Sequence, residues 1–181
     1  MRDLVIIFPI LFLTFLESCS VEQREFLKGN KYFKQLSGDM IPSINKGDIV
    51  FCKKLAKYQI ISRFEIVVYE NAQGTIVLKR VLGIPGDLIS CTNGIMWING
   101  RQLNDRFDIS ASNTKSSSIE YSGNPFSGIS LSLLLSSNEY YTIGDNRLSS
   151  YDSRSYGPVR RDKIVYLAQS IFSNENYIEL R

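Results

Sequence analysis

A mainly β fold, built from short antiparallel strands in one domain, is what this sequence predicts, and three observations carry the prediction. β-Branched and aromatic residues gather in short runs divided by Gly, Asn, Asp or Ser, the composition of strands separated by turns. Asn-Gly dipeptides at 93–94 and 99–100 stand beside apolar runs, where they favour the type I′ turns of tight hairpins. The length, 181 residues, suits one hydrophobic core and is short for two ordinary domains.

Taken in chain order, the first element is not part of that fold. The N-terminus reads MRDLVIIFPILFLTFLESCS, one Arg followed by a nearly unbroken apolar run over residues 4–16. Those residues as a helix would reach about 20 Å, short of a bilayer core of about 30 Å, so the run fits a signal-peptide core better than a membrane-spanning helix. It closes in Leu16-Glu17-Ser18-Cys19, which resembles the lipobox of bacterial lipoproteins and implies a lipid on Cys19, with Glu17 unusual for that box. Three readings stay open: a lipid anchor at Cys19, an uncleaved short anchor, and an ordinary cleaved signal peptide. Each delivers the domain to the outer side of the cytoplasmic membrane. Residues 1–18 are therefore expected to be signal peptide or anchor, 19–30 a tether, and 31–181 the β domain.

Within the domain, 48–54 (DIVFCKK), 64–70 (FEIVVYE) and 75–82 (TIVLKRVL) read as strands. LISCT and IMWI, either side of Asn93-Gly94, read as a meander around Trp97. Residues 110–137 hold eleven serines in twenty-eight positions and read as a long surface excursion, with 131–135 dipping back onto an apolar surface. Strands resume at 140–144 and 163–172, where only Ala168-Gln169 would suit a helix, and YIEL at 177–180 reads as an edge strand.

Composition narrows the chemistry. With no histidine, every Ser-His or Cys-His mechanism and the commonest metal ligand are excluded, and a general base must be Lys, Asp, Glu or Tyr. Cys19, Cys52 and Cys91 lack metal-ligand spacing, so neither a metal nor another cofactor is expected, and Cys52 and Cys91 read as buried thiols rather than a disulfide. A formal charge of +3 does not suggest nucleic-acid binding.

Four blocks remain: LSGDMIPSINKGDIV (36–50), FEIVVYE (64–70), LKRVLGIPGDLI (78–89) and GDNRLSSYDSRSYGPV (144–159). In this order and spacing they resemble the bacterial type I signal peptidases, the leader peptidase family of membrane-bound Ser/Lys proteases that remove signal peptides. The resemblance covers about residues 31–172. It implies a signal-peptidase-type β fold whose surface excursion lies between the lysine box and the final box. It further implies that Lys79 is the general base, that Ser150 orients it, and that Ser37 with the position 39 backbone N–H forms the oxyanion hole. Asp145, Asp152 and Arg154 match supporting positions, and Met40 and Pro42 match residues that shape the turn beside a pocket for small substrate residues. Extended signal-peptide-like segments are the implied partners, with the membrane reached through the N-terminal anchor.

One position departs from the family. Where the nucleophilic serine is expected stands Asp39. Attack on an amide by a carboxylate would require a high-energy anhydride, and an ionised Asp39 would favour the charged form of Lys79. The expectation is a catalytically impaired homologue that still binds peptides. An active peptidase using Ser37 or unrecognised chemistry, and a structural envelope subunit, are the alternatives.

Overall fold

The computed structural model describes residues 29–92, 95–103, 131–174 and 176–180. Among them the chain forms two antiparallel sheets. The larger has eight strands in the order β1 (Lys31–Lys34), β2 (Ile49–Lys54), β11 (Ile164–Ser173), β3 (Ile66–Glu70), β4 (Ile76–Gly83), β9 (Glu139–Ile143) and β10 (Val159–Arg160), with β12 (Asn176–Glu179) paired to β11. The smaller runs β7 (Arg101–Gln102), β6 (Ile95–Ile98), β5 (Leu88–Thr92) and β8 (Leu131–Leu134). One helical turn, α1 (Ser153–Tyr156), follows β9.

The runs of β-branched residues become the strands covered on both faces. In β3, Ile66 and Val68 enter one apolar cluster with Met40, Ile44 and Val50, while Val67 and Tyr69 enter a second with Val81 and Tyr140. β4 is flanked the same way, with Leu78 in the first cluster and Val81 in the second. Lys79 lies between these two residues and is itself buried. A third cluster, including Leu82, Ile89, Ile98, Leu135 and Tyr141, joins the smaller sheet to the end of β4. Gly83 sits at that junction because a Cβ there would come within 2.7 Å of Leu135 and 2.9 Å of Tyr141.

The predicted strands are present, with ends shifted by one or two residues. Asn99 and Gly100 have φ of 52° and 74°, a type I′ combination, and join Ile98 to Arg101 in a two-residue hairpin. The other Asn-Gly pair lies outside the described residues, between paired Thr92 and Ile95. Ala168-Gln169, the stretch that would also suit a helix, falls instead at a register shift in β11 between Ala168 and Ser170, where the strand is bulged. β1, β7, β10 and α1 went unread in the sequence, as did the 3₁₀ turn at Arg161–Lys163. All but β1 are too short to show a period, and β1, KYFK, lacks a β-branched residue. The serine-rich stretch 110–137 lies outside the described residues as far as 130. Its end returns to an apolar surface as expected, with Leu135 buried in the third cluster, and it does so as a strand: residues 131–134 are β8, paired Leu134 with Leu88 and Leu133 with Ile89. Cys52 and Cys91 are buried thiols on β2 and β5, and burial pushes the Cys52 thiol up to about 12.

Candidate active site

The loop between β1 and β2 carries the first block. It is closed at the neck, where Gln35 N–H donates to Asp48 O at 2.8 Å and Gly47 N–H donates to Gln35 O at 2.8 Å. Met40 and Ile44 are fully buried and pin the loop to the core, while Ser37, Ile41 and Pro42 are exposed. Met40 can therefore act on a bound peptide only through the shape of the turn. The loop is clamped from across the molecule by Asn146, whose backbone N–H donates to Asp39 O at 3.0 Å and whose side-chain amide donates to Gly38 O at 2.9 Å.

Lys79 projects from β4 with 1% of its surface exposed, and its Nζ forms an ion pair with Asp39 Oδ2. The other oxygen, Oδ1, accepts from the Ser37 hydroxyl and from Gln35 Nε2, the latter at 2.6 Å. Gln35 is itself 3% exposed and also donates to Ser37 Oγ and Ser37 O, both at 3.1 Å. Asp39 is thus the centre of a hydrogen-bonded group linking Ser37 and Gln35 on one side to Lys79 on the other.

Two buried ion pairs frame this group. Arg80 grips Asp145 with two nitrogens, at 2.8 and 2.6 Å, and reaches Ser43 Oγ at 3.2 Å and Phe64 O at 2.7 Å. β4, the 35–48 loop and the segment after β9 are joined through that one side chain. Arg154 grips Asp152 in the same fashion, both contacts at 2.8 Å, while Asp152 Oδ2 accepts from Gly144 N–H at 3.0 Å. Burial alone would raise the Asp152 carboxyl; the Arg154 hydrogen bonds and charge outweigh it and hold the group below the usual range. Asp152 also caps α1 by accepting from Arg154 N–H. On the same side, Tyr69 OH contacts Thr142 Oγ1 at 2.7 Å and Tyr156 OH at 2.5 Å. Burial pushes the Tyr156 phenol up to about 12, so it remains a donor rather than a base.

Ser150 stands apart from what the resemblance implies. Its Oγ is buried without a well-formed hydrogen bond among the described residues. The bond to Lys79 is not made, because the ammonium is turned to Asp39. Space around Ser150 is tight: a Cβ on Gly144 would lie 2.2 Å from Ser150 Oγ and 2.5 Å from Asp39 O. Gly144→Ala is therefore expected to lower the unfolding free energy by about 1–3 kcal/mol, the usual cost of overpacking, and to loosen the 37–39 loop. Urea denaturation of the variant measures it, and an unchanged midpoint would contradict this packing.

Gln35, Asn146 and Arg80 were not singled out as site residues from the sequence. Each is an ordinary polar residue whose partners lie across the fold, apart from Gln35, whose proximity to Ser37 was the one available signal. Cys19 and the apolar run 4–16 lie outside the described residues, among which no helix is long and apolar enough to cross a membrane.

A lysine enclosed in a β-sheet and facing a loop of Ser37-Gly38-Asp39-Met40 is the arrangement of a Ser/Lys peptidase fold. The family described as signal peptidase, peptidase S26, matches residues 5–173, and the chain belongs to it. Among curated relatives, signal peptidase I of Bacillus caldolyticus is 31% identical over 70% of this chain and 70% of its own length. Signal peptidase I V of Bacillus subtilis is 28% identical over 70% of this chain and 76% of its own. A solved signal peptidase I structure from Enterococcus faecalis V583 is 26% identical and covers 59% of this chain and 94% of its own, with a TM-score of 0.47.

Proposed function

We propose that this chain acts on extended, signal-peptide-like segments at the outer face of the cytoplasmic membrane, and that the Ser/Lys reaction of its family is impaired in it. Membership of the signal peptidase family supports the peptide substrate class. Attachment would run through residues 4–16 or a lipid on Cys19. The single observation that carries the impairment is the ion pair between Lys79 and Asp39. In the Ser/Lys scheme Lys79 must be neutral to take a proton from the nucleophile, and a carboxylate in contact with it stabilises the ammonium instead. The hydroxyl that should lose that proton is also missing.

What remains is suited to holding a peptide. Leu36 and Ile41 in the first loop, and Leu148 and Tyr151 after β9, are exposed apolar side chains on segments joined by Asn146. Along such exposed side chains an extended chain could bond through its backbone and place small side chains, the general mode of strand-like recognition. Fluorescence anisotropy with the full-length protein in detergent and a labelled peptide carrying small residues at the expected cut tests this. Saturable binding is the expected outcome. No binding would remove the proposal and favour a structural envelope subunit.

A further inference from the structure

The contacts that disable one arrangement assemble another. Ser37 is exposed, its hydroxyl donates to Asp39 Oδ1, and the opposite oxygen of the same carboxylate is held by Lys79. Gln35 Nε2 lies 3.1 Å from Ser37 Oγ and 2.6 Å from Asp39 Oδ1, so an amide donor stands beside the hydroxyl as well. The order is nucleophile, base and orienting cation, each within bonding contact of the next. It is the general logic of an activated nucleophile, with a carboxylate as the central member.

We propose that Ser37 is the nucleophile of a Ser37–Asp39–Lys79 relay that hydrolyses peptide bonds slowly. The proposal rests on the reading that the site takes extended peptides, and it assigns Lys79 a role opposite to the family's. Here Lys79 holds the Asp39 carboxyl in one orientation through the contact of Nζ with Oδ2. No neutral lysine is needed.

The steps balance. Asp39 Oδ1 accepts the Ser37 proton as Ser37 Oγ bonds to the scissile carbonyl carbon, and the carbonyl π electrons move to its oxygen. Gln35 Nε2, 3.1 Å from Ser37 Oγ, would be the donor to the developing oxyanion. The intermediate collapses, the C–N bond breaks, and the proton on Asp39 passes to the leaving amine. Water then attacks the Ser37 ester, giving one proton to Asp39. That proton returns to Ser37 Oγ as the ester C–O bond breaks and the acid product leaves. No cofactor, oxidant or metal enters. A carboxylate is a weak base for a serine hydroxyl, which is why slow turnover is expected rather than the rate of a matched dyad.

Two substitutions and one covalent probe test the relay in the full-length protein in detergent. Ser37→Ala should abolish the slow cleavage of a small-residue peptide, and since Ser37 is exposed the variant should fold. Asp39→Asn removes the base and should lose about 10²-fold or more of the turnover, measured on the fraction that urea unfolding shows to be folded, because the change also takes the partner charge from Lys79. A peptidyl fluorophosphonate should add its mass to the Ser37 tryptic peptide of the unaltered protein, a readout independent of how either variant folds. Peptide binding with neither turnover nor labelling at Ser37 would overturn the relay and leave the peptide-site reading standing. Turnover that survives Ser37→Ala would overturn it as well, and failure to bind peptide would remove both.

Discussion

Asp39→Ser is expected to raise signal-peptidase-type activity at neutral pH by about 10²–10⁴-fold, the range that a positioned general base contributes. The substitution makes two changes at once. It places a hydroxyl where the family has its nucleophile, on a loop already held by Asn146 and by the Gln35–Asp48 and Gly47–Gln35 backbone bonds. It also takes the carboxylate away from a lysine that is 1% exposed, and an ammonium enclosed to that degree without a counter-ion is driven towards its neutral, basic form. Ser150, whose buried hydroxyl lacks a well-formed partner, is then available to orient the amine, and Ser37 would take the oxyanion-donor place that the family resemblance implies. The measurement is kcat/KM on a peptide with small residues at the cut, beside the unaltered chain. A folded variant no faster than the parent would mean that Asp39 is not what limits the chemistry.

Asp39→Ala should lower stability by about 3–5 kcal/mol, because it leaves the Lys79 charge buried and alone. The side chains of the pair are 1% and 12% exposed, so little solvent is present to compensate. Removing both charges, as Asp39→Leu with Lys79→Met, should recover most of the loss, since apolar replacements of similar volume are often neutral or better at buried ion pairs. Urea unfolding of both variants at neutral pH checks this. Equal midpoints for the single variant and the parent at neutral pH would show that the pair contributes nothing.

Much of the scaffold was legible because it is local. Runs such as IVVYE and IVLKRVLG become strands wherever they are placed, since β-branched residues need a partner surface on each face, and Asn99-Gly100 can close a type I′ turn without help from elsewhere. The end of the serine-rich stretch was less so. Leu131–Leu134 becomes β8 only because Leu88–Thr92 offers it an edge. KYFK likewise becomes β1 only because β2 pairs with it from Ile49 to Cys52.

The candidate site divides along the same line. By itself the sequence determined that no histidine could take part, that a carboxylate occupies position 39, and that Lys79 and Ser37 stand in blocks matching a Ser/Lys peptidase. Only the tertiary structure decided what those residues do to one another. Asp39 and Lys79 are 40 positions apart and meet because loop closure at Gln35 and packing of Met40 and Ile44 carry the carboxylate over β4. Once there, its two oxygens face different neighbours, taking the ammonium on one and Ser37 with Gln35 on the other, while Ser150 is left out. Side-chain direction follows from how a loop is closed and what lies across from it, and residue type and spacing along the chain do not encode that choice locally.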